Sequence, residues 1–343
     1  MLNRQITLDR RPGKSLSRDC FRYRERPIPA PDHGQVLIRN IYLSCDPYML
    51  SRMNGATAYA DPFRVGEVIP ARVVGQVEDS ADPKFECGDL VWDFLGWEQY
   101  SLVVDASSLR KIDPALGPIS HSISVLGMPG LTAYVGMTDL ASPQEGETVF
   151  VSAASGAVGQ VAGQLAKIAG ARVVGSAGSE EKVRHIVHEL GFDAAFNYKT
   201  VDSVGLALDD YCPGGIDVYF DNVGGAMLDE VLVRLKSFAR VSVCGQISEY
   251  ERTGIGLRNF SAIVHRRAKL MGFIVYDHMD KFETFLPMMA AWLRTGEVVY
   301  YEDIIAGLEA VPEAFIGMMR GDNLGKRLVQ VGEDPTRQAP FII

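Results

Sequence analysis

Residues 148–178 read TVFVSAASGAVGQVAGQLAKIAGARVVGSAG, and the way they divide decides the fold. The apolar run Val149, Phe150, Val151 has strand character, and a turn of small residues follows it. Val158, Val161, Ala162, Leu165, Ile168 and Ala169 then recur at helical spacing, before a second apolar run at Val173, Val174 and Gly175. The order is strand, tight turn, helix, strand. Ala154, Gly156 and Gly159 are small where a dinucleotide fold needs a turn, a close backbone approach to a pyrophosphate, and close helix packing. The helix N-terminus would offer the phosphates unpaired N–H groups and the positive end of its dipole. The first of the three positions is Ala, so the flanking strands give the pattern its weight.

Outward from this unit, strand candidates follow at residues 194–196, 216–220, 240–244 and 269–275, with helical patterns between most of them. Alternating strands and helices imply an α/β fold with a doubly wound parallel (Rossmann) sheet that takes ligands at its strand carboxyl ends. Phe282, Phe285, Leu286, Met289, Trp292 and Leu293 repeat at helical spacing and read as core. The first third has another texture. ITLDR, VLIRNIYLS, RVVGQV, DLVWDF and YSLVV are short β-type runs between Pro, Gly and Asp, which implies a β-rich, barrel-like domain. In DPYMLSRM, Asp46 can cap and Pro47 can start a short helix. KRLVQV is again a strand that can return to the first domain. The expected division is a β-rich GroES-like catalytic domain at 1–125, completed by 315–343, and a dinucleotide-binding domain at 126–314.

The chain has 343 residues, 47% of them hydrophobic and 22% charged, a composition able to bury a large core. A net charge of -9 without a long Lys/Arg run argues against nucleic acid as a partner. No signal-peptide core opens the sequence and no run of about 18 apolar residues occurs, so no membrane partner and a cytoplasmic location are expected. Cys20, Cys45, Cys87, Cys212 and Cys244 are scattered and read as small buried side chains. His185 and His188 share a helix face, which reads as a solvated surface rather than a chelate. Trp92, Phe94 and Trp97 read as barrel packing.

An NAD-selective fold carries an acid about 20 residues past the glycine turn. Here the second strand ends in Gly175, Ser176, Ala177, Gly178 and Ser179 with no carboxylate, which leaves room for a 2′-phosphate. Lys182 supplies a cation and Tyr198 a hydroxyl for the same group; the alternative is that Lys182 is a solvated helix lysine. A β-rich domain before a dinucleotide domain is also the layout of zinc alcohol dehydrogenases. Their G-H-E-x-x-G ligand motif would fall on residues 70–75, where Ala71 replaces the His, and Cys45 beside Asp46 lacks partners. No metal site is expected.

LSCDPYM (43–49), GMPGLTAY (127–134), AASGAVG, GFDAAFNYKT, YFDNVGG (219–225), CGQISEY (244–250), GFIVYD and GDNLGK (321–326) occur in that order over nearly the whole chain. The sequence resembles the zinc-independent medium-chain reductases, in the branch of prostaglandin and leukotriene reductases, plant alkenal double-bond reductases and bacterial curcumin-type reductases. The resemblance implies NADPH-dependent reduction of a carbon–carbon double bond conjugated to a carbonyl, with hydride going to the β-carbon, and a homodimer. It implies that Gly156, Ala157, Val158 and Gly159 hold the pyrophosphate, Lys182 and Tyr198 the 2′-phosphate, and Asn222 the adenosine side, with Ser179 also in the cofactor site. Thr132, Cys244, Gly245, Gln246, Ile247, Ser248, Tyr250, Phe273, Ile274, Val275 and Asn323 would complete the cofactor site, mostly at its nicotinamide half. Three departures stand out. Leu50 follows DPYM where the family often has Arg, and the first Arg after it is Arg52; Cys45 replaces an aliphatic residue; and the loop between Tyr250 and GFIV is shorter than in the prostaglandin reductases.

The chemistry needs donors for charge developing on the carbonyl oxygen and a proton for the α-carbon. A tyrosine, with a reference pKa of about 10, can donate without prior activation. Tyr250 is the first candidate, because CGQISEY follows a predicted strand and so lies at the sheet's ligand edge. If its hydroxyl touches the nicotinamide ribose instead, water supplies the proton. Tyr48 is the second candidate, reaching from the β-rich domain to the substrate carbonyl. The alternative functions are a quinone reductase of the same superfamily and a non-catalytic NADPH-binding protein.

Overall fold

A computed structural model describes residues 2–13, 15–56, 60–250 and 256–337. The chain divides into two compact units, one of residues 1–123, 303–323 and 327–343, the other of residues 124–302 and 324–326.

In the first unit β1 (Leu2–Leu8) and β2 (Phe21–Pro27) form an antiparallel ribbon. β3 (Val36–Ser44), the short helix α1 (Tyr48–Met53), β4 (Pro70–Ser80), β5 (Leu90–Gly96), β6 (Tyr100–Val103) and β7 (Arg110–Lys111) follow. Their pairings are antiparallel, β3 with β4 and β6, and β5 with β4 and β7. β3 is VLIRNIYLS, buried at all but one position, which is what a strand with neighbours on both edges requires. Trp97 packs here as expected, fully buried against Phe21 at a ring distance of 5.8 Å.

The second unit begins with α2 (Met128–Tyr134), which runs into a π-helical segment, Val135–Ala141. Strands and helices then alternate: β8 (Thr148–Val151), α3 (Gly159–Ile168), β9 (Arg172–Ala177), α4 (Glu180–His188), β10 (Ala194–Asn197), α5 (Val204–Tyr211) and β11 (Ile216–Asp221). α6 (Gly225–Leu232), β12 (Leu235–Val243), α7 (Ala262–Arg266), β13 (Lys269–Gly272) and α8 (Phe282–Thr295) complete it. The sheet order is β10-β9-β8-β11-β12-β13 and every described pairing is parallel. This is the doubly wound order whose direction reverses between β8 and β11, where ligands bind outside the carboxyl ends. Phe150, Phe196 and Tyr219 stack under this reversal, with ring centroids 5.9 and 5.2 Å apart. After β14 (Glu302–Ala306) and α9 (Val311–Arg320), β15 (Lys326–Gln330) pairs antiparallel with β3, so the last strand does return to the first unit's sheet.

Several expectations need correcting. β12 begins at Leu235, five residues earlier than residue 240; its first half (LKSFA) is irregular, paired with β11 only at Leu235 and with Ser237 and Phe238 both exposed, so it lacks strand alternation. β13 stops at Gly272, where the turn closed by Asp277 N–H on the Ile274 carbonyl takes Phe273, Ile274 and Val275 out of the strand. On α3, Ile168 is 43% exposed and not on the docked stripe. On α8 only Phe285 and Met289 of the six expected core residues are fully buried, the others half-buried. His185 is buried rather than solvated, its ring edge-on to Tyr301 at 4.3 Å, and burial lowers its pKa. Cys87 is exposed, whereas Cys20, Cys45 and Cys212 are buried. Residues 251–255, part of the loop expected to be short, lie outside the described residues.

Candidate active site

The turn between β8 and α3 is shaped by backbone contacts. Ala153 adopts a left-handed φ of 48°, its carbonyl takes the Gly156 N–H at 3.0 Å, and the Ala154 N–H reaches Ser176 O on β9. A Cβ at Gly159 would lie 2.4 Å from Ala153 O and one at Gly156 3.2 Å from the same atom, so the helix can start against the turn only without side chains there. Val158 caps α3 without a side-chain hydrogen bond, and Ala157, Val158 and Gly159 donate no backbone hydrogen bond among the described residues. Successive unpaired amides at a helix N-terminus are the donor set that a pyrophosphate fits. Gly325 backs the turn: its N–H bonds Ser155 O and it bridges Gly156.

The other side of α3 carries a contact the sequence did not announce. Gln164 and Gln160, one helical turn apart, each give and take a hydrogen bond with the backbone, Gln164 with Val299 and Gln160 with Tyr301, at 2.8 to 3.2 Å. Tyr301 O then accepts from Lys326 N–H. The two side chains act as a strand edge, because alternate residues of an extended segment repeat at nearly the spacing of a helical turn.

At the tip of β9, Ser179 is the N-cap of α4 and accepts from the Lys182 N–H at 3.3 Å. Lys182 is half-buried in the first turn and Tyr198, following β10, is 42% exposed. A Cβ at Gly178 would lie 3.0 Å from the Tyr198 hydroxyl and 3.3 Å from Lys199 Nζ. The nearest acid, Glu180, accepts from Asn197 and Thr200. Ser179, Lys182, Tyr198 and, unanticipated, Lys199 thus cluster where an NAD-type acid is missing.

The carboxyl ends of β11 and β12 meet around Asp221, whose role the YFDNVGG motif did not reveal. Asp221 is fully buried; Oδ1 accepts from the Tyr219 hydroxyl at 2.6 Å and from the amides of Val223 and Gly224 at 3.0 and 2.8 Å. Burial raises its pKa and these bonds pull the other way. The Asp221 carbonyl accepts from Cys244 and Gly245 N–H, which ties both turns to one residue. Asn222 sends its side chain to Ser152 O at 2.8 Å, and Ser248 Oγ bonds Val223 O at 2.7 Å. Gln246 and Ile247 lie in the same pair of turns: a Cβ at Gly224 would meet Gln246 Cγ at 3.0 Å, and Ile247 N–H approaches Asn222 O at 3.5 Å. The Tyr250 hydroxyl is 3.7 Å from where a Gly245 Cβ would sit, and burial raises its pKa. Burial likewise pushes the Cys244 thiol to about 12, so it is a neutral packing group. Phe273 lies against Gly136 of the π-helical segment, and the Thr132 hydroxyl bonds Met128 O within α2.

Tyr48 and Asn323 belong to the first unit. Tyr48 opens α1, with Pro47 rather than Asp46 at the N-cap, and Asn323 follows the C-terminus of α9. Leu50 is fully buried, while the Arg52 guanidinium lies 4.4 Å from the Phe63 ring, so the displaced arginine packs flat on an aromatic. Ala71 and Cys45 are buried, and among the described residues no three His, Cys, Asp or Glu side chains gather as a metal site.

Residues 4–112 match the family described as the N-terminal domain of oxidoreductase, and residues 157–291 that described as zinc-binding dehydrogenase. A 2-alkenal reductase (NADP(+)-dependent) of Nicotiana tabacum is 48% identical over 304 residues, 88% of each chain. The NADPH-dependent curcumin reductase of Escherichia coli (strain K12) is 38% identical over 339 residues, 97% of this chain and 98% of its own. The structure of CurA from Vibrio vulnificus in complex with NADPH superposes with a TM-score of 0.91 at 39% identity, over 96% of this chain and all of that one. The chain belongs to the zinc-independent medium-chain dehydrogenases/reductases, in the branch of the alkenal, curcumin and prostaglandin reductases.

Proposed function

We propose that this protein reduces carbon–carbon double bonds conjugated to a carbonyl in small enones and enals, with NADPH as the cofactor. The observation that carries the reading is the juxtaposition, at the carboxyl edge of one parallel sheet, of an unpaired amide turn, a cationic corner without the NAD-type acid and a half-buried tyrosine. Two of its relatives are an NADP(+)-dependent 2-alkenal reductase and an NADPH-dependent curcumin reductase, which supports the reading.

Gly156, Ala157, Val158 and Gly159 hold the pyrophosphate through backbone N–H groups. Ser179, Lys182 and Tyr198 hold the 2′-phosphate, and Asn222 borders the adenosine side. Cys244, Gly245, Gln246, Ile247 and Ser248 line the nicotinamide half with Phe273, Ile274, Val275, Thr132 and Asn323. When bound, the dihydronicotinamide supplies a hydride to the β-carbon. Tyr250 donates from its hydroxyl toward the enolate, a role it can fill because burial keeps the proton on the oxygen through neutral pH. Tyr48 donates to the substrate carbonyl. The first unit, which takes in residues 303–314 that the sequence reading gave to the other domain, is the catalytic domain and the second unit the nucleotide domain, in a cytoplasmic homodimer with no nucleic-acid or membrane partner. No helix of the described residues is long and apolar enough to cross a membrane. The test is NADPH oxidation followed optically over a panel of enones, enals and quinones, with product analysis. Saturated carbonyl products are expected; allylic alcohols, or turnover of quinones alone, would overturn the reading.

A further inference from the structure

We infer that Lys199 is a second cation for the 2′-phosphate, acting beside Lys182 and Tyr198 to select NADP over NAD; the inference rests on the NADPH reading above. A single point in space carries it. The position a Cβ would take at Gly178 lies 3.0 Å from Tyr198 Oη, 3.1 Å from Lys199 Cε and 3.3 Å from Lys199 Nζ, so lysine and tyrosine converge over a residue with no side chain. Gly178 ends the acid-free tip of β9 and immediately precedes the N-cap of α4, a nine-residue helix whose dipole favours an anion at this end.

Lys199 is also left available. It makes no ion pair among the described residues, although acids are abundant in a chain of net charge -9. Its stem is held by the turn after β10, where Lys199 N–H bonds Asn197 Oδ1 at 3.0 Å and Thr200 N–H bonds Asn197 O at 3.1 Å. Glu180, the acid most able to capture an ammonium here, has one carboxylate oxygen occupied by Asn197 Nδ2 at 2.9 Å and Thr200 Oγ1 at 3.2 Å. Asn197 therefore does two things at once: it fixes the backbone that carries Lys199 and engages the competing carboxylate. An exposed ammonium with no carboxylate partner, 6.0 Å from the centroid of the Tyr198 ring and placed with that residue's hydroxyl over a bare glycine at a helix N-terminus, suits a phosphate dianion.

Two nucleotides that differ only in that group test it without turnover. Adenosine 2′,5′-bisphosphate and 5′-AMP are titrated calorimetrically into the wild type, Lys199→Ala, Lys199→Arg and Lys182→Ala. Lys199→Ala should weaken the bisphosphate about fivefold, the upper range for an exposed ion pair, and leave AMP unchanged. Lys199→Arg should restore the affinity, and the loss should shrink as salt is added. Equal effects on both nucleotides, or none on either, overturn the role of Lys199 while Lys182→Ala still shows a phosphate subsite. A wild type that does not prefer the bisphosphate overturns the NADPH reading and this inference with it.

Discussion

The two ends of the nucleotide crevice are built on different physical terms. At the tip of β9 the proposed phosphate corner is made of side chains standing in or near solvent: Ser179, Lys182, Tyr198 and Lys199. At the ends of β11 and β12, Asp221 is buried under two turns and bonded to Tyr219, Val223 and Gly224 through its side chain and to Cys244 and Gly245 through its carbonyl. The difference teaches how the site divides its work. Charge selection at the first end can be changed without disturbing the fold, and reaction geometry at the second cannot.

The strongest test of that contrast is Asp221→Ala, which takes the acceptor from the Val223 and Gly224 amides and leaves the Tyr219 hydroxyl with Ser152 Oγ alone. It should lower unfolding stability by about 3 kcal/mol in urea denaturation, whereas Lys199→Ala, at an exposed side chain, should leave stability unchanged. Comparable losses at both ends would break the comparison. Next comes Tyr250→Phe, expected to cut kcat about 100-fold with nucleotide affinity and the folded state preserved. Because burial raises the Tyr250 pKa, wild-type kcat should hold through neutral pH and fall only as pH rises through that raised value, a limb the Phe variant should lack. Unchanged turnover would leave Tyr250 as a contact and assign the proton to water. Lys182→Ala should weaken NADPH about tenfold and NADH hardly at all, with an advantage that fades in salt. Equal weakening of the two would remove the 2′-phosphate from this corner. The smallest effect concerns the thiols: in the native protein iodoacetamide should label Cys87, and the buried Cys20, Cys45 and Cys212 only after denaturation. Burial holds the Cys212 thiol near 11, which adds to its inertness.

The parts of the molecule that were legible in the sequence share a short-range cause. The β8–α3 turn declares itself because glycine and alanine are required at fixed offsets, and β3 because a fully flanked strand must be apolar throughout. The missing acid at Gly178 and Ser179 was equally readable. Long-range partnerships were not. Asp221 sits in a quoted motif, yet its importance depends on amides and a hydroxyl that only the folded turns deliver. His185 reads as a surface residue on its own helix and is buried by Tyr301, more than a hundred residues away. The first half of β12 pairs with β11 only at Leu235 before the register shifts, and with Ser237 and Phe238 side by side in solvent it shows no alternating pattern.

The paired glutamines of α3 have a consequence for sequence change in this chain. Across this contact Gln160 and Gln164 bond the peptide groups of Val299 and Tyr301, so the identities of those two residues are free to drift as far as these bonds are concerned. Their count is not. Inserting or deleting one residue between positions 299 and 301 would present each amide with the wrong peptide face and carry Tyr301 off the Lys326 and Gln160 contacts that back the phosphate turn. At this place the two glutamines set no demand on side chains, the Tyr301 ring being held instead by His185, and they resist a change of length.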